Sequence, residues 1–238
     1  ASDMIASAKS DKTREKIEKE LGIRKADTNA QVVDFADVVF LAVKPQFLEG
    51  VLDEIRDSVK AGQIFISIAP GKTLQWLGER LGENTKVIRT MPNTPAMVGE
   101  GMTALCVNEL VTEEEIALAV KLCDTFGKTE VIPEHLMDAV VGVSGSSPAY
   151  VFMFLEAMAD AAVADGMPRA QAYKFAAQSV LGSAKLMLET GKHPGELKDM
   201  VCSPAGTTIQ AVRVLEEKGF RSAVIEAQTE CVKKAKGM

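Results

Sequence analysis

The sequence predicts an α/β domain built on a parallel sheet, followed by an all-helical domain. Up to Pro133, short β-branched runs alternate with helical patterns, which is how a sheet with crossover helices reads. From residue 134 to 238 no strand pattern follows, and Ala, Met and Leu take the place of Val and Ile. The length of 238 residues suits two modest domains, divided here as 1–133 and 134–238.

In chain order, the β-branched runs place strands at Met4 to Ala8, Val38 to Val43, Ile64 to Ile68, Lys86 to Met91, Thr103 to Val107 and Thr129 to Ile132. Asp11 to Leu21, Phe47 to Asp57 and Thr73 to Leu81 have helical periodicity. Thr112 with Glu115 forms a capping box, and Ile116, Ala119, Val120 and Cys123 then share one face until Gly127 ends the helix. In the second half, Ser147-Pro148 opens a helix that runs to Asp165 and closes at Gly166. Pro168 is expected at the first position of the next helix, which extends to about Glu189, and Gly191, Pro194 and Gly206 punctuate shorter helices up to Lys236. The two long helices carry apolar faces rich in small residues: Val151, Leu155, Met158 and Ala162, then Ala172, Phe175, Ala176, Ser179 and Ala184. Such faces form either an internal core or a dimer interface.

Composition excludes several classes. With 47% hydrophobic and 25% charged residues the chain is neither disordered nor fibrous. A balance of 27 Lys and Arg against 33 Asp and Glu disfavours a nucleic-acid partner. The longest uncharged run, Ala139 to Leu155, is shorter than the ~20 apolar residues of a membrane span. Four dispersed cysteines without a Cys-x-x-Cys pair, no metal-ligand cluster and no visible signal peptide lead to the expectation of a reduced, metal-free, cytoplasmic protein.

Chemistry is expected at strand ends and helix starts. Lys44-Pro45 follows the apolar strand from Val38, at the carboxyl end where open α/β sheets bind ligands; an ordinary turn is the alternative. Ser67-Ile68-Ala69 and Arg89-Thr90-Met91-Pro92-Asn93-Thr94-Pro95 follow two further strands. Gly142 to Tyr150 and Cys202 to Ile209 each lead into a helix N-terminus, which attracts carboxylates and phosphates, although either could be only a cap. His193, between Lys192 and Pro194, and His135 read as surface residues, and no base suited to hydrolysis is visible.

Taken together, Ala42-Val43-Lys44-Pro45, Met91-Pro92-Asn93-Thr94-Pro95, Val141 to Tyr150, and His193-Pro194 followed by Leu197-Lys198-Asp199 and Ser203-Pro204 resemble the pyrroline-5-carboxylate reductase family, with Gly219-Phe220-Arg221 adding a fifth motif. The resemblance implies a Rossmann-type dinucleotide-binding domain and an all-α dimerisation domain that forms a homodimer, in some relatives assembled further. It implies reduction of 1-pyrroline-5-carboxylate to L-proline by NADPH, with NADH possible. By this analogy Val43, Lys44 and Pro45 line the cofactor, Asn29 lies near the adenosine, and Met91, Pro92 and Asn93 border the nicotinamide. Ser7, Lys9 and Ser10 match the loop for the adenosine ribose and its phosphate, and Lys9 and Ser10 suit a 2′-phosphate better than an acidic residue would. Ser203, Gly206, Thr207 and Thr208 match the substrate loop, together with Ser144; Thr208, approaching the ring nitrogen, is the catalytic candidate.

Three departures from the family pattern stand out. Ala205 replaces the first Gly of a Gly pair, and Met200 stands where some relatives have a polar residue. The family opens with a strand and Gly-x-Gly-x-x-Gly ahead of the stretch matching Met4 to Ser10, so about 25 to 30 upstream residues are expected. A β-hydroxyacid dehydrogenase type of reductase is the competing enzyme, disfavoured because Lys174 and Lys185 sit at solvent-facing positions; a non-catalytic dimeric scaffold is the other alternative.

Overall fold

The computed structural model describes residues 3–237. It divides into two compact units, one comprising the chain up to Gly145 together with residues 232–237, the other Ser146–Cys231. The division lies beyond the boundary expected at Pro133, because residues 134–145 stay with the sheet.

The sheet unit contains β1 (Ile5–Ala6), α1 (Asp11–Leu21), β2 (Arg24–Lys25), α2 (Asn29–Phe35), β3 (Val38–Leu41), α3 (Pro45–Ile55), β4 (Ile64–Ser67), α4 (Leu74–Leu81), β5 (Lys86–Met91), β6 (Gly101–Val107), α5 (Glu113–Cys123), β7 (Gly127–Val131) and α6 (Met137–Val140). Strands β3 to β7 form one sheet in chain order, while β1 and β2 pair separately in parallel. The expectation of a parallel sheet needs one correction, because β6 runs antiparallel to β5. The connection between them, residues 92–100 with a single 3₁₀ turn at Thr94–Val98, is too short for the crossover that a parallel return requires.

Other boundaries shift for local reasons. The first strand shrinks from Met4–Ala8 to the two residues that find a partner in β2. Both β2 and α2 escape a periodicity search, since one has two residues and the other buries only Val33. Helix α3 begins at Pro45 rather than Phe47, with proline in the first turn where its missing N–H costs nothing. Gly127 opens β7 instead of ending α5; a Cβ there would lie 2.0 Å from the Gly101 carbonyl oxygen, so only glycine permits the approach of β6 and β7.

The core fills both faces of the five-stranded sheet. Val39, Leu41, Phe65 and Val87 pack with Leu48 and Leu52 of α3 and Leu77 of α4. On the other face Ile64, Ile66, Ile88 and Leu105 pack with Ala119 of α5. Helix α5 starts with the expected capping box, in which the Glu115 backbone N–H donates to Thr112 Oγ1 and the Glu115 carboxylate accepts from the Thr112 N–H at 2.9 Å. Lys86 Nζ, 2.5 Å away, holds the Glu115 carboxyl below the usual carboxylate range, with the Thr112 N–H assisting.

The helical unit contains α7 (Ser147–Ala164), α8 (Arg169–Thr190), α9 (Pro194–Val201), α10 (Thr207–Glu217) and α11 (Phe220–Lys236) up to Cys231. Pro168 is the cap residue of α8, one place before its expected first position. Helices α7 and α8 pack together, yet among the described residues of this unit the fully buried apolar side chains are Ala159, Ala172 and Ala176. Phe152, Met153, Phe175 and Leu188 are all more than half exposed. Residues 134–164 are long and apolar enough to cross a membrane by length and composition alone, a longer stretch than Ala139 to Leu155. Here they are divided between a 3₁₀ turn, α6, a π turn at Val141–Gly145 and α7.

Candidate active site

Three parallel strands run in register, β5 extending two residues beyond the ends of β3 and β4. Leu41 pairs with Ser67 and Ser67 with Arg89, so the segments that follow β3, β4 and β5 emerge along one edge of the sheet. Thr90 Oγ1 donates to the Ser67 carbonyl oxygen at 3.1 Å and ties two of these ends together. Lys44 is the cap residue of α3 and Pro45 its first residue, while Val43 is partly buried against the core. The α3 N-terminus, with an exposed lysine and no acidic residue in the first turn, therefore stands at the carboxyl end of β3.

The residues after β1 gather at the same helix. Lys9 Nζ lies 4.9 Å from the centre of the Phe47 ring on α3, and the Phe47 N–H donates to the Lys44 carbonyl oxygen at 2.9 Å. Ser10 caps α1, its Oγ accepting from the Thr13 N–H. The nearest acid, Asp11, is ion-paired with Arg14, and Arg14 Nη1 also donates to the Ala8 carbonyl oxygen at 2.8 Å. Ser7 Oγ donates to Asn29 Oδ1 at 2.6 Å, which brings together two residues assigned to the adenosine end. The Asn29 amide in turn donates to Glu54 at 2.6 Å. Phe47 and Glu54 escape the sequence reading, because their partners Lys9 and Asn29 lie on other elements and leave no local pattern. A lysine and a capping serine beside an ion-paired acid are groups able to hold an anionic dinucleotide.

At the end of β5, Asn93 Nδ2 donates to the Ser144 carbonyl oxygen at 3.1 Å, and Asn93 Oδ1 accepts from the Met102 N–H at 2.9 Å. Ser144 Oγ donates to the Val140 carbonyl oxygen at 3.2 Å within the π turn. Pro92 is partly buried beside Met91. Below them, Arg89 is nearly buried and pairs with Glu134 at 3.1 Å; the same carboxylate oxygen accepts from the Leu74 N–H at 2.7 Å. Burial, with Glu134 adding to it, pushes the Cys106 thiol up to about 12.

In the helical unit, Ser203-Pro204-Ala205-Gly206 forms a tight turn closed by the Gly206 N–H donating to the Ser203 carbonyl oxygen at 3.0 Å. Ala205 has φ 55°, the only positive φ at a non-glycine among the described residues. Proline followed by a left-handed residue is the pattern of a type II turn, which normally asks for glycine at the second place. The Ser203 side chain folds over Gly206, so a larger residue there would have to displace the Ser203 hydroxyl. Gly206 caps α10 without a side-chain hydrogen bond, and the first turn, with Thr207 exposed and Thr208 half-buried, carries no acid. Its leading amides and two hydroxyls are donors of the kind a carboxylate accepts from. His193, by contrast, caps α9, its Nδ1 accepting from the Gly195 N–H at 3.1 Å. Lys174 and Lys185 are exposed, as the sequence suggested.

Two family models match this chain. Residues 134–238 match the family model for pyrroline-5-carboxylate reductase dimerisation, and residues 1–71 match a model described as NADP oxidoreductase coenzyme F420-dependent. The chain is 60% identical over 216 residues to the pyrroline-5-carboxylate reductase of Escherichia coli (strain K12), covering 91% of this chain and 80% of that protein. Identity to the Arabidopsis thaliana enzyme is 41%, covering 90% and 78%. The solved 1-pyrroline-5-carboxylate reductase of Streptococcus pyogenes superposes with a TM-score of 0.90 at 36% identity, covering 98% of this chain and 89% of that one. The Plasmodium falciparum pyrroline carboxylate reductase with NADP bound gives 0.87 at 28% identity, covering 98% and 86%. On these similarities, and with both loops in place, the chain belongs to the pyrroline-5-carboxylate reductase family.

Proposed function

We propose that this chain reduces the C=N bond of 1-pyrroline-5-carboxylate to give L-proline, with NADPH preferred over NADH, as a cytoplasmic homodimer joined through its helical unit. The observation that carries the reading is the Ser203–Gly206 turn, which opens α10 with uncapped amides in a chain 60% identical to a pyrroline-5-carboxylate reductase. The preference for NADPH rests on Lys9 and Ser10, with Asp11 neutralised by Arg14.

The dinucleotide, when bound, supplies a hydride, and the protein supplies binding and orientation. Ser7, Lys9, Ser10 and Asn29 hold its adenosine end; Val43, Lys44, Pro45 and the backbone from Met91 to Asn93 line the rest. The amides and hydroxyls of Ser203, Gly206, Thr207 and Thr208 hold the substrate carboxylate at the α10 N-terminus. Ser144 acts through its place in the π turn, since its hydroxyl is engaged with Val140. The Thr208 hydroxyl steadies the ring nitrogen, which must carry a proton as the adjacent carbon is reduced.

An assay of NADPH oxidation with 1-pyrroline-5-carboxylate, with proline measured as product, tests this. Thr208→Ala is expected to lower kcat/KM by about 1–3 kcal/mol while the fold persists. Wild-type kinetics in that variant would remove Thr208 from the site, and no proline from the unmodified protein would overturn the function.

A further inference from the structure

We propose that the Asn93 side chain positions the nicotinamide loop rather than binding the dinucleotide: it clasps the π turn onto the end of β5. The inference rests on the reading of Met91 to Asn93 as the nicotinamide border. Two observations separate it from that reading. Both polar atoms of the Asn93 side chain are engaged within the protein, the amide donating to Ser144 and the carbonyl accepting from Met102. A planar group with one acceptor and a donor pair is what this junction needs; aspartate lacks the donor and serine lacks the reach.

The second observation is where the clasp falls. The segment from Glu134 to Gly145 is fastened at both ends, to β5 by Arg89 to Glu134 at its start and to the loop after β5 by Asn93 to Ser144 near its finish. Between the fastenings Met137 and Val141 are buried. A Cβ on Gly145 would lie 2.8 Å from Met91 Cε, so the last residue of the π turn lies against the side chain of the residue that ends β5. π turns of this kind are single-turn irregularities within helices and recur at functional sites. Here the irregularity places a carbonyl where Asn93 can reach it, and Asn93 fixes Met91 and Pro92 by fixing their neighbour. The residue acts on hydride transfer through geometry, so its loss reduces turnover more than cofactor affinity.

The test uses the full-length enzyme as Asn93→Ala and Asn93→Asp, alongside wild type. The aspartate variant keeps the acceptor for Met102 and loses the donor to Ser144, so it also serves if the alanine variant does not fold. Three quantities are read: the NADPH dissociation constant by fluorescence titration, kcat with 1-pyrroline-5-carboxylate, and hydrogen-exchange protection of the Met102 amide without cofactor. The expected result is a dissociation constant within about two-fold of wild type and a kcat at least ten-fold lower in both variants, with Met102 protection lost in alanine and kept in aspartate. A dissociation constant raised ten-fold or more in either variant would make Asn93 a ligand and overturn the proposal. So would a kcat within two-fold of wild type in both. Failure of wild-type turnover would instead refute the proposed reaction, while the Met102 protection pattern would still report on the clasp.

Discussion

The two units of this chain solve the burial problem differently. The sheet unit closes a core on both faces of its five strands, with Phe65, Leu48, Leu52, Ile88 and Leu105 all fully buried. The helical unit has long helices and large apolar side chains, but a single chain buries completely only three alanines within it, among the described residues. Phe175 is 68% exposed and Leu188 83%. Helices with this much uncovered apolar surface need a partner face, and the match of residues 134–238 to a dimerisation family supports a second copy of the chain as that partner. The difference teaches where the small residues read from sequence as either core or interface divide: Ala172 and Ala176 are buried on α8, which packs with α7, while Ser179, Ala184 and the larger residues beside them stay exposed in a single chain.

The largest expected effect breaks this contrast from the helical side. Phe175→Asp should place an unpaired charge in the proposed interface, weakening association by about 3–5 kcal/mol without unfolding the sheet unit. Leu52→Ala is its counterpart, expected to lower stability by about 2–5 kcal/mol through a cavity while leaving the oligomer intact. Sedimentation and denaturant unfolding of both variants check the pair; the same response from both would erase the distinction between the units.

The range of each interaction decides how legible it is in the sequence. The α5 start is readable because a capping box is complete within four consecutive residues, Thr112 to Glu115. The turn at Ser203–Gly206 is readable for the same reason, and Ala205 stands out there as the position that a positive φ would trouble. The direction of β6 is not, since strand pairing depends on a connection whose length decides it only once both ends are placed. Nor are Glu54 beneath Asn29, Phe47 under Lys9, or Glu134 beside Arg89, because each contact joins residues far apart in the chain. Asn93 is the instructive case: its polar type is visible, while its partners Ser144 and Met102 are not.

A smaller effect sharpens the view of the helical unit. Ala205→Gly should stabilise the protein by about 0.5–1 kcal/mol, as relief of the left-handed strain outweighs the extra chain entropy of glycine. A fall in the denaturant midpoint would contradict the strained turn. The smallest effect belongs to the sheet unit. Glu115 has its folded carboxyl held below the ordinary value by Lys86, so it contributes stability above that ordinary value and loses it as pH falls through the folded one. Glu115→Gln should therefore flatten the acid limb of the stability profile, and an unchanged limb would show that the Lys86 pair contributes nothing.

Sedimentation equilibrium of the unmodified protein at micromolar concentration tests the central contrast most directly. A helical unit that completes its core with a second copy predicts a species of at least twice the 25.5 kDa chain mass, with no folded monomer on dilution. A stable, folded monomer of 25.5 kDa would contradict it, and the exposed faces of α7 and α8 would then need another explanation.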